Sequence, residues 1–125
     1  MLRILISLFL GVSAVLIGAG PAFADGDKAK GEKTFAKCKA CHSLDAGKNG
    51  VGPSLQGVVG RKSGTGAGFK YSQAMIDKAL VWNKDNLEKY LKDPKGFVPG
   101  GKMIFAGLKG DEADDVIAYL QSVMK

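Results

Sequence analysis

The sequence predicts an all-α domain in which the first and last helices pack against each other. Three observations carry that expectation. No stretch alternates apolar and polar residues in the manner of a half-buried strand. Near the start, Gly31, Phe35 and Cys38 fall at i, i+4 and i+7, on one helical face. Near the end, Ala113, Val116, Ile117, Leu120 and Met124 make an apolar stripe with Tyr119 beside it. A glycine inside a helix costs about 1 kcal/mol relative to alanine, so Gly31 needs a packing reason. Close approach of the C-terminal helix supplies it.

In order, Met1 to Ala24 reads as a secretory signal. Arg3 is its positive region, Ile4 to Ile17 its apolar core, and Gly18-Ala19-Gly20-Pro21 breaks the helix. Ala22-Phe23-Ala24 gives the small-residue pattern for cleavage before Asp25. The competing reading is a retained membrane anchor, with an apolar run near the lower limit for spanning a bilayer. Cleavage leaves residues 25–125 as one small domain.

The first helix is expected over Asp27 to Lys39, rich in Lys, Ala and Glu. His42 to Lys70 is glycine-rich and without sustained period, so it reads as irregular backbone. Ser72 to Leu80 reads as a short helix with Ser72 as N-cap. Asn83 to Lys92 is a firmer one: Asn83 caps it, Trp82 and Leu87 are placed as a hydrophobic staple, and Pro94 stops it. Its buried face is Leu87, Tyr90 and Leu91. Lys95 to Gly107 is apolar yet broken by Gly and Pro, which predicts a non-helical loop covering something. Asp111, Glu112, Asp114 and Asp115 crowd the first turn of the last helix, placed favourably for its dipole.

Without Arg3 the domain carries 17 basic and 12 acidic residues, a net of +5. A basic surface points to acidic partners. An exported domain with no Arg-rich stretch and no aromatic stacking motif does not fit nucleic acid.

The chemistry concentrates at Cys38-Lys39-Ala40-Cys41-His42, which holds both cysteines and the only histidine. Cys-x-x-Cys-His is the attachment pattern of a c-type haem. One helical turn spaces the two thiols for the porphyrin vinyl groups, and His42 follows as a ligand to iron. A thioredoxin-like dithiol would want a βαβ context, which is absent. A structural zinc site needs four ligands, and the chain has three Cys or His in all. An incidental motif is the remaining reading. Export agrees with haem, since bacterial thioether attachment resembles a periplasmic maturation pathway, outside the reducing cytosol. So small a glycine-rich domain has little core of its own, and the apoprotein is expected to be largely unfolded.

The second axial position could be filled by Met, Lys or Tyr, or stay open. Met75 and Met124 lie in or near helices and are more simply core residues. Met103 lies in the apolar Gly/Pro loop, where the backbone can present a thioether. With both positions filled and a soft sulfur favouring Fe(II), the site suits a carrier of single electrons rather than an enzyme.

Over Gly31 to Leu120 the chain resembles the class I c-type cytochromes, bacterial cytochrome c2 and mitochondrial cytochrome c among them. The residues that carry the resemblance are Gly31 and Phe35, Cys38 to His42, Gly52-Pro53-Ser54-Leu55, Gly60-Arg61-Lys62 and Gly68-Phe69-Lys70-Tyr71. Trp82, Tyr90-Leu91, Pro94-Lys95, Pro99-Gly100, Lys102 to Gly107 and Ile117 to Leu120 continue it. The resemblance implies a cytochrome c fold, with N- and C-terminal helices packed together around one haem c bound through Cys38 and Cys41. His42 and Met103 would be the axial ligands, with the Pro53 carbonyl orienting His42. Arg61, Tyr71 and Trp82 would lie near a haem propionate, and Tyr90 near the Met103 sulfur. Leu55, Leu91 and Phe105 would line the pocket. Lys37, Lys95, Lys102 and Lys109 match positions around the exposed haem edge that steer docking.

Two positions depart from the family pattern. Gly101 stands where a threonine is frequent and Met75 where an asparagine is frequent, both usually in a hydrogen-bond network near the haem. The segment between His42 and Pro53 is also one residue shorter than in the mitochondrial proteins. The expectation is a periplasmic, monomeric, soluble one-electron shuttle in a respiratory or photosynthetic chain. It would run between a cytochrome bc-type complex or dehydrogenase and a terminal oxidase or photosynthetic reaction centre, docking on acidic sites of membrane complexes. The alternatives are a haem peroxidase-like enzyme or gas sensor, if Met103 is labile, and a membrane-tethered carrier, if the signal is retained.

Overall fold

The structure is a computed structural model that describes residues 11–15 and 26–125. The export signal and its cleavage before Asp25 lie largely outside the described residues. Among the described residues five helices follow in order: α1 (Lys28–Phe35), α2 (Gln73–Lys78), α3 (Lys84–Lys92), α4 (Pro94–Phe97) and α5 (Glu112–Val123). Among the described residues there is no strand, only an antiparallel bridge between Lys62 and Val81. None of the described helices is long and apolar enough to cross a membrane.

α1 packs chiefly on α5, and α3 packs on both α5 and α4. The close approach expected of Gly31 is realised: it is buried, and a methyl group there would overlap the carbonyl oxygen of Asp115. Phe35, Ala113, Val116, Ile117 and Leu120 close the α1–α5 seam, and the Phe35 and Tyr119 rings meet at 5.4 Å. Trp82 and Leu87 are both buried in the same core at the start of α3, as a staple requires. Tyr90 and Leu91 are partly buried against that core.

Asp27, Ser72 and Asn83 cap α1, α2 and α3 through side-chain oxygens that accept first-turn N–H groups. Two expectations need correction. α1 stops at Phe35 rather than Lys39, and the chain continues in turns, with the Cys38 N–H donating to the Phe35 carbonyl at 2.8 Å. The segment after Pro94 is not free of helix: Asp93 caps α4, accepting from the Gly96 N–H, and Pro94 occupies its first turn, where its missing N–H costs nothing. Glu112, Asp114 and Asp115 stand in the first turn of α5 as expected; Asp111 precedes it without a side-chain cap bond, and Asp115 is buried against the start of α1.

Candidate haem site

The site is built from three irregular segments hung between helices. The first leaves α1. Cys41 N–H and His42 N–H both donate to the Cys38 carbonyl, at 3.1 and 2.9 Å, so the motif is wound as a turn. Cys38 is half-buried and Cys41 exposed, and the two are not joined by a disulfide. Burial pushes the Cys38 thiol up, against the opposing pull of the Lys37 ammonium.

His42 is held on two sides. Its Nδ1 lies 2.7 Å from the Pro53 carbonyl oxygen, an acceptor only, so Nδ1 carries the proton and Nε2 is left with its lone pair. Gly52 lies close against the ring: a Cβ there would come within 2.8 Å of Nε2 and 2.6 Å of Nδ1. The Gly52 N–H donates to the Cys41 carbonyl at 2.8 Å, which closes this loop onto the motif.

The second segment carries Met103. It is anchored at one end by the Gly101 N–H donating to the Val98 carbonyl, 3.0 Å, and at the other by the Leu108 N–H donating to the Leu91 carbonyl, 2.8 Å. Val98 and Leu108 are buried, so the loop between them is pinned into the core at both ends. Gly107 takes φ +113 with its α-carbon against the Lys92 carbonyl, a place closed to any side chain. Met103 is half-buried, and the Tyr90 hydroxyl donates toward its sulfur at 3.7 Å. Burial pushes the Tyr90 phenol up to about 12. Tyr90 stacks on Trp82 with ring centroids 5.0 Å apart, and both rings meet Phe97 of α4.

The third segment brings Arg61, Tyr71 and Trp82 into one neighbourhood. Arg61 and Trp82 are tied by their backbones, the Trp82 N–H donating to the Arg61 carbonyl at 2.8 Å. Tyr71 and Arg61 converge on Gly66: its N–H donates to the Tyr71 hydroxyl oxygen at 2.9 Å, and a Cβ there would lie 3.3 Å from Arg61 Nη2. Arg61 Nη1 and Nη2 make long bonds, 3.3 and 3.4 Å, to the Gln56 and Ser54 carbonyls, while Nε is buried without an acceptor. An orphaned buried guanidinium donor beside a tyrosine hydroxyl is a place an anionic group would complete. The residues therefore fit a haem whose propionate is received there.

Sequence reasoning did not single out Phe97 or the packing role of Gly52. The Asp93-Pro94 pair was the signal for α4, and with it for Phe97. Leu55, Leu91 and Phe105 are partly buried against the core. Lys95, Lys102 and Lys109 are exposed, and Lys37 is exposed but paired with Glu112 at 3.5 Å. Ile104, between Met103 and Phe105, is 96% exposed.

Compared with known proteins, the chain matches the cytochrome c family model over residues 28–124. The chain belongs to the cytochrome c family. It is 60% identical over 90 residues to cytochrome c2 iso-2 of Magnetospirillum fulvum, covering 71% of this chain and 94% of that one. It is 48% identical over 111 residues to cytochrome c2 of Rhodomicrobium vannielii, covering 87% and 89%. Among solved structures, cytochrome cH from Methylobacterium extorquens superposes with a TM-score of 0.73 at 50% identity, over 78% of this chain and 99% of that one. The all-α architecture with packed terminal helices is the cytochrome c fold. Like other members of its family, this cytochrome binds haem c covalently, its two cysteines standing in the Cys-x-x-Cys-His motif, and it is an electron carrier rather than an enzyme.

Proposed function

We propose that this chain is a periplasmic one-electron shuttle, with His42 and Met103 as the two axial ligands of its haem iron. Bound haem c supplies the Fe(III)/Fe(II) couple. The observation that carries the reading is the pair of second contacts: Pro53 oxygen on His42 Nδ1 at 2.7 Å, and the Tyr90 hydroxyl on Met103 Sδ at 3.7 Å. The Pro53 contact leaves His42 Nε2 free, and the Tyr90 hydroxyl takes one of the two lone pairs of the Met103 sulfur and leaves the other. With two oriented ligands neither face is reserved for a substrate, which is the requirement of a carrier. Arg61, Tyr71 and Trp82 receive a propionate and keep its charge compensated.

The chain is exported and cleaved after Ala24, and works as a monomer. It takes electrons from a cytochrome bc-type complex or a dehydrogenase and passes them to a terminal oxidase or a photosynthetic reaction centre. Exposed lysines on and near the Met103 loop guide docking on acidic sites of those membrane complexes. Such encounters are small and short-lived.

Two measurements test this. The far-red charge-transfer band of the oxidised holoprotein reports sulfur ligation: it is expected at neutral pH and lost in Met103→Ala. Its absence, or its survival in that variant, removes Met103 from the iron. Electron-transfer kinetics with isolated membrane complexes then identify donor and acceptor, and failure to exchange electrons with any such complex would refute the shuttle.

A further inference from the structure

Asn49 makes two hydrogen bonds whose directions are fixed by their partners. The Ser54 N–H donates to Asn49 Oδ1 at 2.9 Å, and Asn49 Nδ2 donates to the Ala67 carbonyl at 3.0 Å. A backbone N–H only donates and a carbonyl only accepts, so the amide orientation is unambiguous. The Ser54 N–H belongs to the same peptide unit as the Pro53 carbonyl, and that carbonyl faces His42 Nδ1 at 2.7 Å. Asn49 and His42 therefore bind opposite ends of one amide. Ser54 is itself buried, and its hydroxyl donates to the Asp45 carbonyl at 2.6 Å, so the unit is also held from its side chain.

We propose that Asn49 is a positioning residue for electron transfer: by accepting from the Ser54 N–H it orients and polarises the peptide that holds His42, and so sets the potential of the iron. The inference rests on His42 being an axial ligand. Its physics is amide resonance, which couples the two ends of a peptide group. Drawing the N–H toward an acceptor makes the carbonyl a better acceptor, a cooperative gain of about 10–30% per bond. A stronger bond at Nδ1 makes the imidazole a more basic ligand. A more basic nitrogen donor favours Fe(III) and lowers the potential.

The competing account is a loop clip. Through Ala67 the same side chain ties the His42 loop to the segment that carries Gly66 and Tyr71, and that alone would stabilise the fold. The two accounts separate in the holoprotein of Asn49→Ala and Asn49→Asp. Both lose the bond to Ala67. Alanine removes the acceptor for Ser54, whereas aspartate replaces it by a stronger, charged one.

The relay predicts opposite signs: a potential shifted up in Asn49→Ala and down in Asn49→Asp. In the reduced, diamagnetic holoprotein the His42 Nδ1–H proton resonance should move upfield in the first and downfield in the second. The new carboxylate charge would lower the potential by itself, so the proton resonance decides. Movement of that resonance in the same direction in both variants, or in neither, makes Asn49 a clip and overturns the proposal. The His42 carbon-bound ring protons separate the two possible failures. If they lack the large upfield shift of an iron-bound imidazole in the wild-type protein, the ligation itself is wrong. Should Asn49→Ala not accumulate as holoprotein, Asn49→Val, which likewise carries no acceptor, is read by the same criteria.

Discussion

The backbone N–H of Asp27 donates to the Asp115 carboxylate at 2.7 Å, across 88 residues of chain. Asp27 simultaneously caps its own helix, its side chain accepting from the Ala29 and Lys30 amides at 2.9 and 3.1 Å. One residue thus starts α1 and ties that start to α5. One turn later Gly31 lies against the carbonyl oxygen of the same Asp115. Asp115 is gripped by both its side chain and its backbone, which fixes the angle and depth at which the two helices meet. The Cys38–His42 turn leaves the far end of α1, so this contact also positions the haem attachment.

Gly31→Ala should therefore destabilise the holoprotein despite improving helix propensity. The propensity gain is about 1 kcal/mol. Against it stands overlap with backbone oxygen, which no rotamer change relieves, and contact at 2.9 Å with the Tyr119 Cβ. Overpacking of this kind costs about 1–3 kcal/mol, and backbone against backbone belongs at its upper end. A net loss of about 2 kcal/mol in chemical denaturation is expected, from these two opposing magnitudes. A variant as stable as wild type would mean the helices can part freely.

The Asp27 cap gives the fold an acid-sensitive edge. Bonds from the Lys30 and Ala29 amides hold its carboxyl below the ordinary value of 3.8. A carboxyl depressed in the folded state contributes stability that is complete above its unfolded value and is lost as pH falls through the folded one. Asn at this position keeps an acceptor for the helix N–H groups but has no proton to take up. Asp27→Asn should therefore show a smaller fall in thermal midpoint below pH 3.8. Parallel acid melting curves for the two proteins would assign the acid limb to other carboxylates.

Much of this arrangement was legible in the sequence because it depends on local chemistry. The caps at Ser72 and Asn83, the Gly31 approach and the apolar stripe of α5 each follow from residue type and spacing. The haem motif is contiguous, and the family resemblance named Pro53 and Tyr90 as partners before any geometry. What could not be read were contacts made at a distance. The acidic start of α5 reads as dipole chemistry, yet Asp115 turns inward for an amide 88 residues away. α1 ends at Phe35 although lysine-rich sequence runs on, because the cysteine turn takes over its hydrogen bonds. α2 ends on Ala79 at φ +45, a left-handed cap that sequence announces only when glycine stands there.

Tyr90→Phe tests how firmly the Met103 sulfur is held. The hydroxyl-to-sulfur distance of 3.7 Å is that of a weak bond to a weak acceptor. Deleting a neutral bond costs about 1 kcal/mol, which bounds the effect at roughly fivefold. Imidazole added to the oxidised variant should displace the sulfur up to about fivefold more readily than in wild type, on that same magnitude. The far-red band should persist without imidazole, because Val98 and Leu108 still anchor the loop. Unchanged imidazole affinity would show that the loop anchors alone hold Met103.

The docking lysines are expected to differ among themselves. Lys95, Lys102 and Lys109 are exposed. Lys37 faces the Glu112 carboxylate at 3.5 Å, so the pair as a unit contributes little field at a distance. Replacing Lys37 and Glu112 together by glutamine should slow association with an acidic partner less than neutralising any one of Lys95, Lys102 and Lys109. Removing Lys95, Lys102 and Lys109 together should slow it most, and should flatten its dependence on ionic strength. Salt screens such steering over about 10 Å at 0.1 M, so stopped-flow rates across a salt series are the measurement. The wild-type rate should fall steadily as salt rises. A rate indifferent to ionic strength, or a Lys37 and Glu112 double variant as slow as the triple one, would show that docking is guided by something other than these charges. The exposed Ile104 beside Met103 would then be the first residue to truncate.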